Sequence, residues 1–150
     1  MLELARAGAG GRPVLREGAV VAVLRTSTWR ESASAVVGDR EWVLDRRRGG
    51  VLVGRWAADP EDAVRHRAEQ TSTWRDRWRI DLQGTAVDAS TVSWWSGRLR
   101  FSVHGRTVAE SGSTGGWSDR RTLTAGDDLP LDAQVFLLWV QYVADRRASS

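Results

Sequence analysis

Apolar and polar residues alternate with a period of two through most of this chain, and the alternation stops at residue 131. Trp78-Arg79-Ile80-Asp81-Leu82 and Arg98-Leu99-Arg100-Phe101-Ser102-Val103 alternate strictly, so each predicts a strand with one apolar and one wet face. Further strands are predicted over 20–25, 29–33, 41–44, 51–56, 64–70, 85–89, 106–109 and 120–125. Gln83-Gly84 and His104-Gly105 fall between paired segments, where glycine supplies the positive φ of a tight hairpin. Residues 45–50, DRRRGG, form a longer turn, and 59–62 and 111–116 read as loops.

From residue 131 the pattern changes. In LDAQVFLLWVQYV, apolar side chains placed at 100° per residue point in nearly every direction, and only Gln134, Gln141 and Asp145 share a narrow polar stripe. A helix of this kind needs apolar neighbours all round. In a β protein those neighbours are the inward faces of a closed sheet, because a barrel too wide to be filled by its own side chains needs a plug. Pro130 sits at the expected first helical position, with Asp127, Asp128 and Asp132 at the positive end of the dipole and Arg146 and Arg147 at the negative end. The expectation is an all-β chain with one C-terminal helix over 131–147, an antiparallel barrel closed around it. The helix is too short to span a bilayer.

The 150 residues suit a single domain. The Gly-, Ala- and Arg-rich residues 1–18 predict a flexible lead or an irregular edge strand, and 19–150 the folded body. The pentapeptide Thr-Ser-Thr-Trp-Arg occurs at 26–30 and again at 71–75; a true repeat would mark two equivalent strand entries, but the flanks do not align and the chain is rich in Ser, Thr, Trp and Arg, which favours coincidence.

The order of features resembles the tubby C-terminal-like superfamily, notably its bacterial LURP-one-related and phospholipid-scramblase-like members. Three stretches carry the resemblance: Glu41-Trp42-Val43-Leu44-Asp45 followed by Gly50-Val51-Leu52-Val53-Gly54, the hairpin over 98–109, and Leu129-Pro130 with its apolar helix. It implies twelve strands around the C-terminal helix, and an association with phosphoinositide-containing membranes or phospholipids. No lipid-site motif of the family maps residue by residue onto this chain.

Composition narrows the chemistry. There is no cysteine, which removes disulfides, thiolate zinc sites and cysteine nucleophiles. All 22 basic residues are arginine, so the pI of 10.7 reflects the high pKa of that side chain, while the net charge is only +3. The N-terminus carries Glu3 and no long apolar core, so it does not read as a secretory signal, and the expected location is cytoplasmic, peripheral to the membrane.

His66 and His104 are the two candidate neutral-pH bases. His66, between two arginines, reads as part of a solvated strand face, His104 as a turn residue, and two histidines without cysteines make a poor metal set. Asp127-Asp128 reads as helix-end chemistry, and the glycines at 112, 115 and 116 lack the context of a phosphate loop. No catalytic, metal or cofactor residues are assigned. The candidate anion-facing groups are Arg46, Arg47 and Arg48 on a hairpin tip, with Arg75 and Arg77, joined by Arg79, alternating along one strand face. Of nine tryptophans, Trp42, Trp56, Trp78 and Trp139 occupy core-like positions, and Trp29, Trp74, Trp94, Trp95 and Trp117 lie near strand ends. Trp94-Trp95, adjacent on a strand, should place one ring outside.

These features favour a non-enzymatic module that binds anionic phospholipid or acts beside a membrane. A soluble protein-interaction scaffold is the first alternative. A calycin-like small-ligand binder or enzyme with a barrel pocket is the second, with the helix packed outside. Nucleic acid ranks last.

Overall fold

A computed structural model describes residues 1–117 and 119–149 and joins the alternating segments into a closed barrel. Its strands are β1 (Leu2–Leu4), β2 (Arg12–Arg16), β3 (Ala19–Thr26), β4 (Ala33–Val37), β5 (Arg40–Arg46), β6 (Leu52–Trp56), β7 (His66–Ser72), β8 (Arg77–Leu82), β9 (Thr85–Thr91), β10 (Leu99–Val103), β11 (Arg106–Ser113) and β12 (Arg121–Ala125). Each pairs antiparallel with its neighbours in sequence, and β1 pairs with β12, so the sheet has no free edge. The expected barrel of twelve antiparallel strands with one C-terminal helix is what the chain forms.

The interior explains how a helix fits. Large inward residues such as Trp42, Leu44, Trp78, Ile80, Leu99 and Phe101 share the wall with Ala35, Ala68, Ala89, Ala109 and Gly54. Those small residues leave room for α1 (Leu131–Ser149), whose Val135, Phe136, Leu137, Leu138, Trp139, Val140 and Val143 are all buried. At Gly54 the approach is closest: a Cβ there would lie 3.1 Å from Phe136 and 3.2 Å from Leu44. The polar stripe of α1 is satisfied inside the protein. Gln141 accepts the Leu99 amide at 3.0 Å and donates to the Gly97 carbonyl at 2.9 Å, and Gln134 donates to the Leu129 carbonyl at 2.7 Å.

Several expectations are corrected. Residues 1–18 are neither a flexible lead nor an edge strand: they supply two paired strands, β1 and β2, whose Leu2, Leu4 and Val14 enter the core and whose pairing closes the ring. The segment expected over 29–33 is instead β4, four residues later, and β11 runs to Ser113 into the region read as a loop. Pro130 lies just outside α1, where its carbonyl accepts the Gln134 amide at 3.0 Å.

The two ends of the barrel differ. At one, Glu17-Gly18, Gln83-Gly84 and His104-Gly105 make tight turns with positive φ at both residues, and β4–β5 turns at Gly38-Asp39. The 57–65 connection folds back along the wall, where the Glu61 carbonyl receives Arg47 at 2.8 Å and Val53, on the outward face of β6, is covered. At the other end six longer loops surround the C-terminus of α1.

Candidate functional site

Because strands alternate in direction, the loops β1–β2, β3–β4, β5–β6, β7–β8, β9–β10 and β11–β12 all emerge at the end where α1 finishes. Four of them carry the five tryptophans that face solvent: Trp29, Trp74, Trp94, Trp95 and Trp117, between 75% and 102% exposed. The other four tryptophans lie within the barrel or against its wall. Five large apolar side chains held in water at one end are a feature that folding alone does not require.

Local sequence and the helix end build this rim together. In each copy of the pentapeptide the serine hydroxyl accepts a backbone amide beyond it: Ser27 Oγ from Trp29 and Arg30 at 3.3 and 3.2 Å, and Ser72 Oγ from Arg75 at 3.1 Å. The repeats are therefore equivalent rim turns following β3 and ending β7, rather than strand entries. The last turns of α1 then tie loops down. Arg146 donates to the Ser27 and Thr28 carbonyls at 2.7 and 2.6 Å, and Arg147 to the Gly50 carbonyl at 2.8 Å and to both Glu31 oxygens at 2.6 and 2.7 Å. Asp145 accepts both nitrogens of Arg121 at 2.7 and 2.8 Å, and Arg121 also holds the Ser96 carbonyl at 2.8 Å.

The rim is also basic. The six loops and the helix end hold nine arginines (6, 30, 47, 48, 75, 98, 120, 146 and 147) against four carboxylates, Glu31, Asp76, Asp119 and Asp145. That excess is larger than the +3 of the whole chain, so the rest of the molecule is net acidic.

The expected anion-facing residues divide accordingly. Arg46, at the end of β5, and Arg48, in the β5–β6 loop, are exposed at the rim, whereas Arg47 is drawn onto the wall by Glu61. Arg75 lies in the β7–β8 loop and not on the strand face with Arg77 and Arg79, which correction places it at the rim. Arg77 begins β8 beneath it. Trp94 and Trp95 sit in a turn, so both rings are exposed, where strand geometry predicted one; they meet edge to face with centroids 5.8 Å apart.

At the rim's centre a cleft of about 750 Å³ opens between Trp74, Trp94, Arg46, Asp76 and Arg147. The Arg147 hydrogen bonds hold the Glu31 carboxyl below the usual range, while burial pushes Asp76 up.

A second cluster lies near the opposite end. His66 is not on a solvated face: it is buried, stacked on Trp42 at 5.1 Å, and its Nε2 is 2.9 Å from Asp132 in the first turn of α1. The error has a clear source, since the strand's inward positions are His66 and Ala68, neither of which looks apolar enough to mark a core face. The pair fastens the helix start to β7, and Asp132, held below the usual carboxylate range by that hydrogen bond, titrates later than it would unfolded. A depressed carboxyl contributes stability above its unfolded pKa that is lost as pH falls through the folded one. Glu31 acts in the same sense and Asp76 in the opposite one. Melting temperature should therefore fall as pH drops from about 5 to about 3, and Asp132→Asn should flatten part of that fall; an unchanged acid profile would remove the pair from the account.

His104 occupies the expected hairpin turn, exposed, with φ 51°. Asp127 and Asp128 are exposed before α1. Among the described residues no group of acidic, histidine or cysteine side chains is arranged to hold a metal, and no helix is long and apolar enough to cross a membrane. Comparisons with protein-family models, with curated proteins and with solved structures gave no match.

Proposed function

We propose that this protein is a non-enzymatic module that docks onto an anionic membrane surface with the tryptophan-tipped end of its barrel. The observation that carries the reading is that every strongly exposed tryptophan shares one end with the arginine excess. Indole rings favour the headgroup level of a bilayer, and each nearby arginine adds about 1 kcal/mol at an anionic surface. The outer wall argues for contact by the end alone. It is laddered with opposite charges, Glu69 beside Arg79, Arg67 beside Asp81 and Arg79 beside Asp88, and belongs in water.

The resemblance to tubby-like and scramblase-like proteins supports this reading through the shared plan of twelve strands around a C-terminal helix. A calycin-like pocket finds no support, because the interior is occupied by α1.

Flotation with vesicles of graded phosphatidylglycerol content tests the proposal. Binding should rise with anionic fraction and weaken with salt. Replacing Arg46, Arg47 and Arg48 together by Ser should weaken it about thirtyfold, mostly through the two that remain at the rim. Failure of the unaltered protein to float at any composition rejects the proposal.

A further inference from the structure

The central cleft of the rim carries both signs of charge, which is not what a purely anionic ligand asks for. On one side the guanidiniums of Arg46 and Arg147 converge about Gly50, where a Cβ would lie 3.8 and 3.7 Å from their Nη2 atoms. On the other lies Asp76, in the turn that begins with the second pentapeptide. Its Oδ1 accepts two neutral donors, Trp78 Nε1 at 2.9 Å and Gln70 Nε2 at 3.1 Å. None of the ion pairs among the described residues includes Asp76. Its carboxyl is accordingly pushed upward by burial. A partly buried carboxylate in a cleft lined by two indoles, in no ion pair and with the charge of Arg147 offsetting only part of its burial, is a site that a bound ammonium completes, through charge, hydrogen bonds and the rings of Trp74 and Trp94.

We infer that this cleft takes the phosphoethanolamine headgroup of a phospholipid, its ammonium on Asp76 between Trp74 and Trp94 and its phosphate toward Arg46. The inference rests on the docking reading and adds selectivity to it. A primary ammonium fits better than a choline because it has three donors to give. The Oδ2 of Asp76 and the hydroxyl oxygen of Thr91, which also lines the cleft, can accept them, whereas a quaternary head has no donor to give to Oδ2. Arg46 meets Glu31 only at 3.7 Å and keeps donors for phosphate.

The test uses vesicles with one constant fraction of phosphatidylglycerol and the balance either phosphatidylethanolamine or phosphatidylcholine. The full chain should bind the ethanolamine vesicles about tenfold more tightly, the size of one charge-assisted contact. Asp76→Asn keeps an oxygen for the Trp78 and Gln70 donors and removes the charge, so it should fold normally, lose the preference and retain phosphatidylglycerol-dependent binding. Trp74→Ala, at a fully solvated ring, is the second variant and should reduce the preference. Glycerophosphoethanolamine should release the protein where glycerophosphocholine does not. Equal binding to both vesicle types, or a preference that survives Asp76→Asn, overturns the inference while leaving docking intact. Absence of binding to any vesicle overturns both.

Discussion

A chain truncated after Asp128 should not fold, and Val140→Asp should have nearly the same effect. Val140 is fully buried near the middle of α1, surrounded by the barrel wall, so an aspartate there has neither water nor a cation. Burying an uncompensated charge costs far more than a domain's typical net stability of about 5–15 kcal/mol. Truncation removes the whole plug. Each large helix side chain contributes about 1.5–3 kcal/mol by burial, and the alanines opposite it cannot close the space left behind. Thermal melting followed by circular dichroism, with gel filtration of the soluble fraction, would read the outcome: no cooperative transition in either variant. A soluble truncation product with a sharp melt would show that the strands close without their core.

The second large effect concerns binding with the fold intact. Trp29→Ser, Trp74→Ser, Trp94→Ser and Trp117→Ser combined should abolish flotation on phosphatidylglycerol vesicles, by two orders of magnitude or more, if each ring buries enough surface at the interface to contribute about 1 kcal/mol. The melting temperature should barely move, because these rings are at least 86% exposed and their removal opens no cavity. That separation identifies a surface kept for contact rather than for folding. Should the quadruple variant still float as the original does, the arginines alone would carry the attraction and the tryptophan end would need another partner.

The geometry of the rim depends on how the helix end and loops are joined. Arg146 clamps the loop bearing Trp29, the Gln141–Asp145–Arg121 network clamps the loop of Trp94 and Trp95, and Arg147 reaches the β5–β6 loop. The plug that fills the barrel therefore also sets the height of its rim. A clamp lost at Arg146 would leave the tryptophans exposed but unordered, an entropic cost that binding must then meet.

How much of this was legible in the sequence follows from which signals are local. Strands β5, β6, β8, β9 and β10 were legible because period two is a property of adjacent residues, and the hairpins because Gln83-Gly84 and His104-Gly105 carry their own conformational preference. The helix was legible as a core element because its apolar circumference has only one kind of solution. The four inner tryptophans were legible from strand and helix positions and the outer ones from their nearness to strand ends, although alternation put only one of Trp94 and Trp95 outside.

Other features come from partners distant in the chain. β1 and β2 look like an unstructured lead, since Leu2, Leu4 and Val14 are too few to announce strands; pairing with β12, over a hundred residues away, makes them strands. His66 looked polar beside two arginines and became core because Trp42, Phe136 and Asp132 converge on it. Arg46 and Arg47, adjacent in the chain, were parted by where the rim ends and the wall begins. The sequence by itself determined most of the strands, the greasy helix and the stock of indoles and guanidiniums near strand ends, because these depend on short-range pattern and composition. Only the tertiary structure decided that the indoles share one end with a basic excess and surround a carboxylate in no ion pair, because strand direction and ring closure set which loops meet.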